Sequence, residues 1–273
     1  MRRPGPSSPG QWVVIAGTAL FVVAATVLVA TGNTGVRITA DNEQTQQMWQ
    51  RWIPALVGIL LIRFLPPRVR RGAGGPADRR QAWILLGAAV AFAVLLKVTG
   101  QFELLKALLI LLLPLLVFRF LGGKPTANWP ATASWAPALP VGAWLLLTYV
   151  GPLAAPIGEP LAMSGLELAA VLLVGFLANS VLEEFFYRRW LQTRWEQLLG
   201  PWAAILIASI VWSVWHIAIQ GRGELGIDLA SALMNQGVLG LFLGYLWSRY
   251  RLMWPLITVH GAINALPVLL SLG

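Results

Sequence analysis

The sequence predicts an all-α protein, built as a polytopic transmembrane helical bundle of about eight or nine spans. Apolar residues make up 57% of the 273 residues and charged residues only 11%, whereas a soluble domain usually carries about 25% charge. The mean hydropathy is +0.69, and apolar runs long enough for membrane helices follow one another along the whole chain. These observations together exclude an ordinary soluble domain.

Nine apolar runs justify the predicted helices in order. They lie at residues 11–31, 47–65, 82–99, 104–121, 135–155, 165–187, 201–219, 229–248 and 252–271. The apolar part of the first run is about 20 residues long, whereas a cleaved signal peptide has roughly 7–15, so we expect a retained span. The second run is the weakest, because Arg63 lies near its end.

The basic residues predict the orientation of the chain rather than binding to nucleic acid. The net charge is +9, and Arg and Lys cluster before the first run, after the second, fourth and sixth, and between the last two. The positive-inside rule then predicts a cytoplasmic N-terminus. Because the composition rich in Ala, Gly, Pro and Arg is typical of GC-rich bacterial genomes, we expect an integral protein of a bacterial plasma membrane. The lack of cysteine excludes thiolate catalysis and Cys-based metal sites.

Polar residues in the later runs fall at matching depths in the membrane. The helix that carries Glu183 and Glu184 should end at Gly200, and Pro201 should start the next helix. Glu184 precedes Gly200 by 16 residues and His216 follows it by 16. At about 1.5 Å per residue, both lie about 24 Å from this turn. The two side chains should therefore meet in one layer.

A second turn, near Tyr250, brings further polar residues to the same layer. His260 and Asn264 should lie roughly 15 and 21 Å beyond it. They share a helix face because they are four residues apart, as do Glu184 and Arg188. Three helices can therefore place these groups around one cavity.

This set of residues is typical of a hydrolytic site without a covalent nucleophile. A glutamate and a histidine can hold and deprotonate a water, while a second histidine and an asparagine can donate to an oxyanion. Two histidines and one glutamate could instead bind Zn²⁺, although no HExxH motif occurs. A purely structural hydrogen-bond network and a proton relay of a transporter are further alternatives. We predict no cofactor, and zinc stays the competing hypothesis.

Three motifs resemble those of a known family. EEFFYR at 183–188 is similar to the EExxxR motif of the CAAX-protease and bacteriocin-processing family, the intramembrane glutamic endopeptidases. WSVWH at 212–216 resembles its FxxxH motif, with Trp in place of Phe, and HGAIN at 260–264 resembles its HxxxN motif. We therefore divide the chain into N-terminal spans without an assignable motif, 1–160, and a catalytic core, 161–273.

The resemblance implies a catalytic role for the first two motifs. It assigns Glu183 and His216 to the activation of the attacking water. It assigns Glu184 and Arg188 to a supporting pair beside them. Trp212, the departure from the family pattern, is expected to alter the packing beside His216.

The third motif and the expected partners follow from the same resemblance. His260 and Asn264 are assigned to the oxyanion site, and no metal is required. The implied function is an endopeptidase that cleaves a membrane-anchored protein or peptide within the lipid bilayer. A non-catalytic immunity or scaffold protein of the same family and a proton-coupled transporter are the alternatives. The depth of Glu184 places the site nearer the loop at 220–228 than the basic turns, so we expect it to open to the outside.

Overall fold

The structure is a computed structural model that describes residues 8–38, 44–65, 79–122, 135–154 and 164–272. These residues form a helical bundle with one short β-hairpin, which confirms the predicted all-α fold class. The helices are α1 Pro9–Ala30, α2 Met48–Phe64, α3 Arg79–Thr99, α4 at 102–120, α5 Ala138–Tyr149, α6 Gly165–Leu199, α7 Pro201–Gln220, α8 Leu225–Tyr250 and α9 Met253–Leu270. The strands are β1 Gly35–Arg37 and β2 Thr45–Gln47, which pair antiparallel.

Six of the helices in the described residues are long and apolar enough to cross a membrane, namely α1, α3 and α6 to α9. The protein is therefore an integral membrane protein. The apolar run 135–155 forms a shorter helix than expected, because α5 has only 12 residues. That corresponds to about 18 Å of helix, less than the hydrocarbon thickness of about 30 Å. The helix starts after Pro137, and beyond its end Gly151 adopts a positive φ of 82°.

Several helices in the described part of the chain contain π-helical turns near the predicted polar layer. In α6 the π-helical segments Gly175–Val181 and Phe185–Gln192 flank the single turn Leu182–Glu184. The other π-helical segments are Lys106–Leu112 in α4 and Leu233–Gly237 in α8. Such turns shift the side-chain register of a helix and are frequent at functional sites.

Both predicted turns of the last four helices are present. Gly200 separates α6 from α7 with a φ of 87°, and Pro201 begins α7. Arg251 ends α8 in the left-handed conformation with a φ of 54°. The helices α6, α7, α8 and α9 therefore alternate in direction, as the depth estimate required.

The most buried helix of the bundle is α8, and small residues let its neighbours approach closely. A Cβ atom added at Gly240 of α8 would lie 2.9 Å from Cβ of Ser209 of α7. A Cβ atom at Gly58 of α2 would overlap the Phe242 ring of α8. Close backbone approach at small residues is the usual way in which membrane helices pack.

The β-hairpin between α1 and α2 was not predicted from the sequence. Its strands have three residues each, too few for an alternation pattern to stand out. The side-chain amide of Asn235 in α8 donates to the backbone oxygen of Arg37 at 2.7 Å. This bond fixes the hairpin beside the end of α7 and the start of α8.

Candidate active site

The two carboxylates of the first motif are buried inside the bundle and have different partners. Glu183 and Glu184, on α6, are 1% and 0% exposed. Oε1 of Glu183 lies 2.5 Å from Nζ of Lys106 on α4. Its Oε2 accepts a hydrogen bond from Nε1 of Trp212 on α7 at 2.7 Å. That oxygen also lies 3.9 Å from Nε2 of His260 on α9. Glu183 is therefore the point at which α4, α6, α7 and α9 meet.

Glu184 forms a separate network with Arg188, its expected supporting partner, and with His260. Its Oε1 accepts a hydrogen bond from Nδ1 of His260 at 2.8 Å, and its Oε2 lies 3.4 Å from Nε of Arg188. The guanidinium of Arg188 is fully buried and lies over the Trp212 ring, 4.7 Å from its centroid. The predicted pair of Glu184 with Arg188 is thus present, and the structure adds His260 to it.

His216 is fixed by α7 and by an aromatic neighbour. Its Nδ1 lies 3.0 Å from the backbone oxygen of Trp212. Since a carbonyl oxygen only accepts, Nδ1 carries the hydrogen, and in the neutral ring Nε2 keeps a free lone pair. The imidazole stacks on Trp215 with 3.8 Å between ring centroids. This geometry leaves Nε2 as the nitrogen that can accept a hydrogen bond from water.

The third motif is anchored through α6. His260 uses Nδ1 for Glu184, so Nε2 is the nitrogen turned toward Glu183. Asn264 donates from Nδ2 to Oγ of the buried Ser180 at 3.0 Å. The structure therefore holds both residues of the HxxxN motif against α6, on the side that carries the glutamates.

Residues 164–266 match the family model described as Type II CAAX prenyl endopeptidase Rce1-like. Over this segment the chain is similar to the CAAX-protease family. The segment contains all three motifs and spans α6 to α8 and most of α9, in agreement with the resemblance predicted from the sequence. No curated protein and no solved structure matches the chain.

Lys106 was not predicted as a site residue from the sequence, and it lies outside the matched segment 164–266. Lys106 is 3% exposed and donates to Oδ1 of Asn179 at 2.7 Å as well as to Glu183. The available signal was a lysine inside the apolar run 104–121, where an unpaired charge is costly. Sequence alone gave no means of choosing its partner.

A cleft lies beside His216. It is lined by His216 and by residues of β1, of the α7–α8 connection and of α8. Asp228 shapes this connection, because its carboxylate accepts hydrogen bonds from the backbone N–H groups of Arg222 and Gly223 at 2.8 and 3.1 Å. The cleft lies at the end of α7 opposite the turn at Gly200. Within the described part of the chain, no group of three or more His, Asp or Glu side chains has a metal-binding arrangement.

Proposed function

We propose that the protein is an intramembrane endopeptidase that hydrolyses a peptide bond of a membrane-anchored protein or peptide with an activated water. One observation carries this proposal. Residues of the three CAAX-protease motifs converge on Glu183 and Glu184, which are buried in the layer shared by α6, α7 and α9. Burying two adjacent carboxylates is unfavourable unless partners compensate them, and such an arrangement in a membrane points to function.

The geometry supports a reaction in two proton transfers. Glu183 takes a proton from a water that also donates a hydrogen bond to Nε2 of His216, and the water oxygen attacks the carbonyl carbon of the substrate. The carbonyl oxygen becomes an oxyanion, which Asn264 and His260 stabilise by hydrogen-bond donation. Glu184 holds the His260 ring in place through its contact with Nδ1. The proton held by Glu183 then passes to the leaving amine as the carbon–nitrogen bond breaks.

The proposed entry to the site is the cleft beside His216. The basic turns at Gly200 and Arg251 lie at the ends of α7 and α8 that are opposite to this cleft. The positive-inside rule assigns basic turns to the cytoplasm. The N-terminus of α1 is at this basic end, because Gly10 packs against the backbone of Leu199. We therefore propose a cytoplasmic N-terminus and a site that opens to the outer face, where exported or surface-anchored substrates would reach it.

The decisive experiment compares purified wild-type protein with Glu183→Gln and His216→Ala on a library of membrane-anchored peptides. Each change removes water activation, which typically contributes about 10²–10⁴-fold in rate. Glu103→Gln is the matched control, because Glu103 is exposed on α4. This variant should cleave the peptides like the wild type. Full activity of Glu183→Gln, with its fold confirmed, would refute the proposed mechanism.

A non-catalytic immunity or scaffold protein is the alternative outcome of the same experiment. It predicts that the wild type cleaves no peptide of the library and that Glu183→Gln keeps the biological role. A proton-coupled transporter predicts instead that wild-type vesicles move protons and that cleavage is absent.

A further inference from the structure

The shortest contact of the Glu183 carboxylate comes from outside the CAAX-protease segment. Nζ of Lys106 on α4 lies 2.5 Å from Oε1 of Glu183 and 2.7 Å from Oδ1 of Asn179. Lys106 lies at the start of the π-helical segment Lys106–Leu112. The ammonium is therefore directed from α4 into the layer formed by the three family motifs.

The charge of Lys106 lies next to two aromatic rings. Nζ lies 4.2 Å from the ring centroid of Phe102 and 5.4 Å from that of Trp215. Trp215 in turn stacks on His216. An ammonium over an aromatic face is stabilised by the ring electrons. Lys106 thus contacts Glu183 directly and is also next to the residue that holds His216.

The charged groups around Glu183 do not compensate it equally. Glu184 adds a second negative charge on α6, and the two cationic or titratable groups nearest to Glu184, Arg188 and His260, already bind it. For Glu183, the ion-pair distances in the described residues are 2.5 Å to Lys106 and 3.9 Å to His260. Removing one partner of a buried ion pair leaves the other charge uncompensated in a medium of low polarity. Lys106 is thus the cation that balances Glu183.

We infer that Lys106 is a positioning residue, which keeps Glu183 ionised and holds its carboxylate toward the layer shared with His260. The catalytic consequence of this inference rests on the proposed function, whereas the charge pairing does not. The inference also means that the site is incomplete without α4, although the family match begins only at residue 164.

The charge pairing is tested by infrared spectroscopy of purified protein at neutral pH. In Lys106→Met, Glu183 should take up a proton, so the carbonyl band of a buried carboxylic acid should appear. The double variant Lys106→Met/Glu183→Gln should lose this band, which assigns it to Glu183. Lys97→Met removes a lysine that is exposed on α3, and it should show no such band. A spectrum of Lys106→Met identical to that of the wild type would overturn the inference.

The positioning role is tested by the kinetics of the same variants. Lys106→Met should lower kcat by about 10- to 1,000-fold, because an adjacent opposite charge favours the ionised form of a carboxylate by about that factor. KM should stay unchanged, because Lys106 is not placed to touch the substrate, and Lys97→Met should behave like the wild type. Unchanged or increased kcat in Lys106→Met would contradict a positioning role.

A loss of folding and a loss of cleavage give different results in these variants. If the Lys106→Met protein does not fold and accumulate, the double variant should still do so, because it removes both buried charges together. If neither variant accumulates, the result would count against a paired role of Lys106 and Glu183. If the wild type cleaves nothing, the proposed function fails, and the infrared result still decides whether Lys106 keeps Glu183 ionised.

Discussion

Nε1 of Trp212 lies 2.7 Å from Oε2 of Glu183 and donates a hydrogen bond to it. Trp212 stands where the family motif has Phe, and from the sequence we expected only a change in packing beside His216. The structure places its ring edge-on to both His216 and His260, with centroid distances of 5.3 and 5.4 Å. The substitution therefore adds a polar contact to the proposed base as well as ring packing.

Trp212→Phe should weaken cleavage without abolishing it. The change keeps an aromatic ring and removes the donor to Glu183, and a hydrogen bond to a charged group contributes about 1.5–3 kcal/mol. We expect kcat to fall by roughly tenfold or more and the protein to unfold at a lower temperature in detergent. Trp12→Phe, at a position that is 60% exposed, is the control and should change neither value. Wild-type kcat and stability in Trp212→Phe would show that the hydrogen bond has no role.

Chelators should not inhibit cleavage if the glutamic mechanism holds. In that mechanism Glu183 and His216 activate the water without a metal ion. Cleavage should therefore survive long incubation with EDTA and 1,10-phenanthroline, and elemental analysis of active protein should find no stoichiometric zinc. A zinc content near one per chain that tracks activity would favour a metal-activated water instead.

Cysteine labelling should decide to which side the site opens. The chain contains no cysteine, so single substitutions give a clean signal. Glu224 and Gln197 are both exposed and lie at opposite ends of α7. Glu224 is preferable to its neighbour Gly223, whose φ of 100° strains any side chain. In intact cells, Glu224→Cys should react with a membrane-impermeant thiol reagent and Gln197→Cys should not. The reverse pattern would place the cleft on the cytoplasmic side.

Gly58→Ala should destabilise the bundle although alanine favours helices. The added methyl group overlaps the Phe242 ring of α8, and overpacking typically costs about 1–3 kcal/mol. Gly87→Ala is the matched control, because Gly87 lies in α3 with open space around it; alanine there gains about 1 kcal/mol of helix propensity. Thermal unfolding in detergent should therefore show a lower midpoint for Gly58→Ala only. Equal midpoints for both variants would mean that α2 can move away from α8 at no cost.

Local chemistry made several features of the fold predictable. Long apolar runs have to form helices in a bilayer, because every backbone polar group needs a partner within the segment. The turn at Gly200 and Pro201 was also predictable from local chemistry, since glycine accepts a positive φ and proline is tolerated in the first turn of a helix. Once the turns are fixed, the constant rise per residue sets the depth of Glu184 and His216.

The length of an element was less predictable where apolar composition and backbone breaks disagree. The composition of the run 135–155 predicts a membrane span, but the helix is bounded by Pro137 and Gly151 and has only 12 residues. The β-hairpin is fixed by a bond between Asn235 and the Arg37 backbone, a long-range contact without a sequence signal.

The sequence by itself determined which residues form helices, how deep the polar groups lie and which family the last four helices resemble. Only the tertiary structure decided which partner each polar group takes. It joined Lys106 to Glu183 across 77 positions and assigned His260 to Glu184 at 2.8 Å. The physical reason is that depth follows from the rise along one helix, whereas pairing depends on how neighbouring helices are rotated and packed. Those rotations arise from contacts spread over the bundle, such as Gly58 against Phe242, and no local segment encodes them.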